Sequence, residues 1–219
     1  MLSRFAIAVF FLIAPTLGRS SEILDRLAAT VNGEPLLASD VEEELRYEYF
    51  SAKRPLTDIS PEDEKAALNR LIDQQLLREQ MHSADFKPVD AAAVEQAFQT
   101  FKTGYGSPES WSAALVTYGI SETSIKSHIQ TELNQLRLID LRLRPSIQVD
   151  AESVGNYYQQ QILPKLPPGS HPGLEESEPA IRELLIQQRM NESLDSWLEA
   201  LRTGARIRIF APPTGDQKK

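Results

Sequence analysis

Cysteine is absent from the 219-residue chain. Disulfides, thiolate nucleophiles and Cys-based metal sites are thereby excluded, while a core of this size needs no disulfide, so the redox compartment is left open. Histidine is scarce. His82, His128 and His171 are the only three, and without any H-x-x-x-H spacing no metal site is expected. Clusters of basic residues are also lacking. With 23 Lys+Arg against 31 Asp+Glu and a net charge of -8, no nucleic-acid partner is expected, because phosphate recognition needs grouped cations. Anionic membrane surfaces are disfavoured on the same ground. There is no G-x-S-x-G elbow and no P-loop. Gly104-Tyr105-Gly106 looks like the start of a phosphate loop, but it follows a predicted helix instead of a strand and reads as a helix end. The acidic runs Glu42-Glu43-Glu44, Glu62-Asp63-Glu64 and Glu175-Glu176 read as helix starts and solvated faces, not as general acid–base pairs. The expectation is a chain with no cofactor, no metal and no enzymatic activity.

Long apolar runs are missing too, with one exception near the start. Arg4 precedes an uninterrupted run from Phe5 to Ala14, Pro15 breaks it, and small residues follow at Thr16, Gly18 and Ser20. This is the three-part pattern of a secretory leader over 1–20. The run is about half of the ~20 residues that span a bilayer, which disfavours the alternative of an uncleaved anchor. An exported, periplasmic protein with no integral membrane segment after cleavage is expected.

What remains is globular in composition, 41% hydrophobic and 25% charged. Leu27 to Val31, then Asn32-Gly33, then Pro35-Leu36-Leu37 read as a hairpin, since Asn-Gly tolerates positive φ at both positions. Ser39 and Asp40 offer an N-cap for a helix over about 40–53, which Pro55 ends. Ser60-Pro61 followed by three acids starts the next, with Leu68, Leu71, Ile72, Gln75 and Leu76 as one buried stripe to about Ala84. Asp90 opens a helix carrying Val94, Ala97, Phe98 and Phe101. Ser107-Pro108-Glu109 opens a short one that Gly119 closes. A longer helix starts at Ser121 and Glu122, and its apolar face is Ile125, Ile129, Leu133, Leu136 and Ile139. Asp150 caps a helix to about Ile162. Residues 163–174, with four prolines, cannot be regular structure. The last helix, about 177–203, has Ile181, Leu184, Leu185, Leu194, Trp197, Leu198 and Leu201 as its stripe, and Ala205 to Phe210 alternates as a strand. A lone hairpin is marginal in water. The economical arrangement joins the last strand to the first two, bringing both ends of the mature chain into one sheet.

Four segments carry a family resemblance. Leu27-Ala-Ala-Thr-Val-Asn-Gly-Glu34 with Ser39-Asp40-Val41, Leu71-Ile-Asp-Gln-Gln-Leu-Leu77, Tyr118-Gly-Ile-Ser-Glu122 followed by Val149-Asp150 and Tyr157-Tyr158, and Trp197-Leu-Glu-Ala-Leu-Arg202 with Ala205-Arg-Ile-Arg-Ile209 together resemble the SurA-like periplasmic chaperones, themselves similar to PrsA and trigger-factor modules. The resemblance implies a mostly α fold: a helical chaperone module with a small sheet made by the N-terminal hairpin and the C-terminal strand. It implies an organisation of leader (1–20), helical chaperone domain (21–162), Pro-rich loop (163–176), closing helix and strand packed back on the module (177–210), and tail (211–219). In typical members a parvulin-type prolyl isomerase domain follows the Tyr-Tyr segment, and here only the loop stands in its place.

The implied function is that of an ATP-independent holdase for unfolded exported or outer-membrane proteins. The alternatives are an envelope adaptor with one dedicated partner and a degenerate prolyl isomerase. A holdase needs apolar surface that accepts many sequences. The aromatics Phe98, Phe101, Tyr105, Trp111 and Tyr118 are the first candidates for it. Tyr47 and Phe50 are the second, because Tyr47, Tyr49 and Phe50 cannot all face one core. The competing reading is that these are ordinary core residues. The expected partners are client polypeptides, with acidic clients repelled by the overall charge, and a homodimer fits an open helical cradle that lacks its usual second domain.

Overall fold

The computed structural model describes residues 25–82, 85–165 and 173–210. The leader read at 1–20, the end of the second expected helix at Ala84, most of the Pro-rich loop with His171, and the tail from 211 lie outside them.

β1 (Leu27–Val31) and β2 (Glu34–Leu37) form the hairpin. Asn32 and Gly33 turn it with φ of 53° and 100°, the left-handed pair that a two-residue turn requires. β3 (Ile207–Ile209) pairs antiparallel on the other side of β1, giving the order β2-β1-β3. Asn32 fastens this closure. Its backbone N–H donates to the Arg206 carbonyl at 3.0 Å, and its side-chain oxygen accepts from the Arg206 N–H at 2.9 Å. Its amide nitrogen donates to Glu79 at 2.7 Å. The inner face of the sheet, Ala29, Val31 and Leu36, is buried against Ile72 and Leu76.

The first helix, α1 (Ala38–Ser51), begins earlier than the Ser39–Asp40 signal suggests. Its first donors are met by upstream residues: Ala38 N–H reaches the Arg26 carbonyl at 2.7 Å, and Ser39 donates through both backbone and hydroxyl to Asp25. Asp40 reaches back to the Leu37 N–H at 2.7 Å. Capping by a residue 14 positions away has no local signature.

α2 (Pro61–Gln80) starts as expected, with a reciprocal capping box. Ser60 Oγ accepts from the Asp63 N–H at 3.2 Å, and Asp63 accepts from the Ser60 N–H at 2.9 Å. The Tyr49 hydroxyl lies 2.9 Å from the same carboxylate. The Ser60 contacts, then Tyr49, hold the Asp63 carboxyl down from 3.8 to about 2. Because the folded value is the lower one, this contribution to stability is present above pH 3.8 and is lost as pH falls towards 2. Asp63→Asn is therefore expected to be less stable than wild type at pH 5, with the two urea midpoints converging at pH 2. A constant gap across that window would contradict the assignment.

α3 (Ala91–Thr103), α4 (Pro108–Tyr118) and α5 (Glu122–Leu143) follow. Asp90, Ser107 and Ser121 cap them through side-chain oxygens, and Gly119 closes α4 at φ 60°. Asp150 caps α6 (Ala151–Tyr157), which runs on as a π-helical turn to Ile162 and a 3-10 turn over Leu163–Lys165. α7 (Leu174–Gly204) starts three residues before the expected position and carries Pro179 inside its second turn. There the ring removes one helical N–H donor. Within the span 163–174, expected to be irregular throughout, Leu163–Lys165 form a turn of 3-10 helix and Leu174 already begins α7. Leu184, expected on the buried stripe of α7, is exposed.

The cores are separate. One aromatic cluster lies among α1, α3, α4 and α5. A second joins the sheet to α2, with Leu201 of α7 against it. A third holds Leu45, Tyr49 and Ala67, and a satellite core of Val154, Tyr158 and Ile181 ties α6 to α7. Arg202 near the end of α7 donates to Asp73 at 2.6 Å and to the Asn69 carbonyl at 3.0 Å, pinning the closing helix to α2. No described helix is long and apolar enough to cross a membrane.

Candidate functional site

The seven aromatics singled out from the sequence come together in one place. Phe50, fully buried, is at the centre. Its ring stacks on Tyr105 at 4.8 Å and meets Trp111 and Tyr118 edge-on, each at 5.5 Å between centroids. Phe98 meets Trp111 edge-on at 5.8 Å. The polar tips are satisfied: Trp111 Nε1 donates to Glu122 at 2.6 Å, the Tyr118 hydroxyl to the Arg54 carbonyl at 2.9 Å, and the Tyr105 hydroxyl to the Phe50 carbonyl. Burial pushes the Tyr105 phenol up to about 12.

Tyr47, Phe50, Phe98 and Trp111 are buried, and Phe101, Tyr105 and Tyr118 pack half-buried against them. Tyr49 turns the other way, into the cluster with Leu45 and Ala67. The three aromatics of α1 thus serve two cores, which is how their spacing is accommodated.

Next to this cluster the surface opens into a groove of about 580 Å³ between α1, α3 and α5. Of the seven aromatics, only Tyr47 and Phe101 line it. The remaining apolar lining is Ala52 at the end of α1, Ala97 from α3 and Ile129, Leu133 and Leu136 from α5. Leu136 is 63% exposed, although its place on the apolar stripe of α5 predicts a core position. The stripe continues past the first turn of α3, which runs antiparallel to α5 with Val89 N–H on Asn134 at 2.9 Å and Lys102 on Glu122 at 2.8 Å: α5 has 22 residues and α3 only 13. That mismatch in length is the sequence signal that could have located the groove.

The wall of the groove is polar. Glu44 and Glu48 of α1, Arg70 of α2 and Glu132 of α5 line it. Arg70 pairs with Glu48 and lies 3.5 Å from Glu44. Beneath, the His128 imidazole stacks face to face on Tyr47, with centroids 4.1 Å apart, and its Nδ1 is 3.7 Å from Glu44. Burial lowers the His128 pKa against the pull of Glu44 and Glu43. Burial likewise raises the Glu132 carboxyl, against a contact with the Tyr47 hydroxyl. The Tyr47 phenol is pushed up, first by burial and then by Glu132. None of the acidic wall is recognisable from sequence: Glu44 reads as part of a solvated acidic run at a helix start, and nothing in the sequence singles out Glu132. No cluster of described residues has the composition of a metal site.

The fold is that of a known structure. The chain is similar to a solved chain described among two structurally related SurA-like chaperones of the human pathogen Campylobacter jejuni, the virulence factor PEB4 and the periplasmic protein Cj1289, with a TM-score of 0.53 and 12% identity over 85% of this chain and 100% of that one. No curated protein matches the chain. A family model described as the SurA-like N-terminal domain matches residues 2–139, a span that takes in the hairpin, α1 to α4 and nearly all of α5, and hence every residue of the groove. By that match the chain belongs to the SurA-like N-terminal domain family, as a SurA-like chaperone module.

Proposed function

We propose that the protein is an ATP-independent periplasmic holdase whose client site is the groove between α1, α3 and α5. The observation that carries this is the apolar lining of half-buried Ala97, Phe101 and Leu133 with exposed Leu136, beside the packed aromatic core that includes Ile129. Exposed apolar surface in a defined concavity is what a polypeptide of variable sequence can use, and the ring cluster behind it keeps the walls in place. In this reading Tyr47 and Phe101 touch clients, while Phe50, Phe98, Trp111, Tyr105 and Tyr118 hold the frame. Activity without catalysis fits a site whose polar groups are a wall and not a converging acid–base pair.

The test is suppression of aggregation by the purified protein with several unrelated unfolding clients and no ATP. Wild type is expected to protect most of them at near-stoichiometric ratios. Leu136→Ser is expected to leave the helical content unchanged and the unfolding free energy within about 0.5 kcal/mol of wild type, since the side chain is exposed, and to lose most of the protection. Full protection by a folded Leu136→Ser protein would remove the groove from the function. Protection of a single client only would favour a dedicated-partner adaptor.

A further inference from the structure

We propose that the groove selects clients by charge as well as by apolarity, taking segments in which an apolar side chain is followed within a few residues by lysine or arginine, with the cation seated at Glu132 in the field of Glu44. This rests on the reading of the groove as the client site.

The groove is short of positive charge. Three carboxylates line it against one guanidinium, and Arg70 is already committed to Glu48 and to Oε1 of Glu44. The other oxygen of Glu44 has no hydrogen-bond donor among the described residues, on a residue only 6% exposed. A buried carboxylate oxygen left without a donor is costly to fold around, and nothing in the core requires it, since Tyr47 and Phe50 make the packing contacts of α1 on this side. His128, whose Nδ1 lies 3.7 Å from this oxygen, is shifted towards its neutral form by burial and so does not balance it.

Glu132 stands at the solvent-accessible rim. It has no cation within ion-pair distance among the described residues, and the Tyr47 hydroxyl is its polar neighbour. Its carboxyl adjoins the apolar stripe, being one position from Leu133 and one helical turn from Leu136 and Ile129. A client side chain lying on Leu136 would therefore place a neighbouring lysine or arginine against Glu132. At this solvent-accessible rim a client cation gains the attraction of a surface ion pair, reinforced by nearby Glu44, and the overall charge of -8 adds attraction at a distance. An acidic segment meets repulsion from the same wall.

The experiment is fluorescence anisotropy with three labelled, unstructured peptides that share one set of leucine and phenylalanine positions. They carry two lysines, two glutamines or two glutamates beside these. Wild type is expected to bind them in that order, with steps of about three- to tenfold, and the steps are expected to shrink as salt is raised. Glu132→Gln should bring the lysine peptide down to the glutamine peptide, and Glu132→Lys should invert the order of the lysine and glutamate peptides, with circular dichroism confirming that both variants are folded. Equal binding of all three peptides by wild type at low salt would overturn the charge selection and leave the groove as a client site. Binding of none would instead overturn the client reading itself. An unchanged order in both variants would place the selecting charge elsewhere.

Discussion

Phe50→Ala is expected to lower the unfolding free energy by about 3–5 kcal/mol, the range for removing a fully buried phenylalanine. Phe50 has no exposed surface, and its ring faces those of Tyr105, Trp111, Tyr118 and Phe101, which come from α3, α4 and the segments that follow them. The cavity would open where several elements meet, so neighbouring side chains cannot close it by shifting one helix. The loss should appear as a lower urea midpoint with an unchanged slope. It should also distinguish the frame from the surface: Phe50→Ala loses client protection in proportion to its unfolded fraction and regains it under conditions that restore folding. If Phe50→Ala were fully folded and fully stable yet inactive, Phe50 itself would be a client contact and the division between frame and surface would fall.

The second large effect is expected from ending the chain after Ala205. This removes β3, its three paired positions on β1, and the Arg206 backbone contacts with Asn32. It also uncovers one edge of a strand whose Ala29 and Val31 are fully buried. Several backbone hydrogen bonds at about 1 kcal/mol each, with the apolar cover of Ile207 added, amount to a loss of about 3–5 kcal/mol. The bared edge of β1 would also be open to intermolecular pairing. Lower thermal stability together with concentration-dependent association is the expected result, and sedimentation with a thermal melt would read both. A truncated protein as stable and as monomeric as the full chain would show that the closing strand contributes little.

Much of the architecture was legible in the sequence because its signals are local. Asn32-Gly33 specified a hairpin, Ser60-Pro61 and Ser107-Pro108 specified helix starts, Gly119 an end, and the alternation of Ile207 and Ile209 a strand that had one plausible place to pair. The start of α1 was missed by a residue or two since its cap, Asp25, lies far along the chain. The site was legible only in its neighbourhood. Aromatic density points to the neighbourhood of the proposed groove, but density does not distinguish a ring in a core from a ring in a wall. Phe98 and Trp111 are deep because α1, α3, α4 and α5 meet around them, whereas Leu136 is bare because it lies beyond the first turn of α3, which runs antiparallel to α5. Exposure at these positions depends on the relative lengths of packed helices, which no single helix encodes. The charge of the wall was hidden for a similar reason: Glu44, Glu48, Arg70 and Glu132 come from three helices and become neighbours only on packing.

The satellite core of α6 and α7 shares no residue with the aromatic core beneath the groove, and the Pro-rich stretch leaves from that lobe. Chain length inserted at such a point costs mainly loop entropy, which grows with the logarithm of length. Going from about ten to about a hundred residues costs only ~2 kcal/mol, and less if the insert folds with its own ends close together. A fold of this design can therefore gain or shed a whole module between Lys165 and Gly173 while the geometry of Leu133, Leu136 and Glu132 stays as it is, which makes the length of that connection and the chemistry of the groove separately variable.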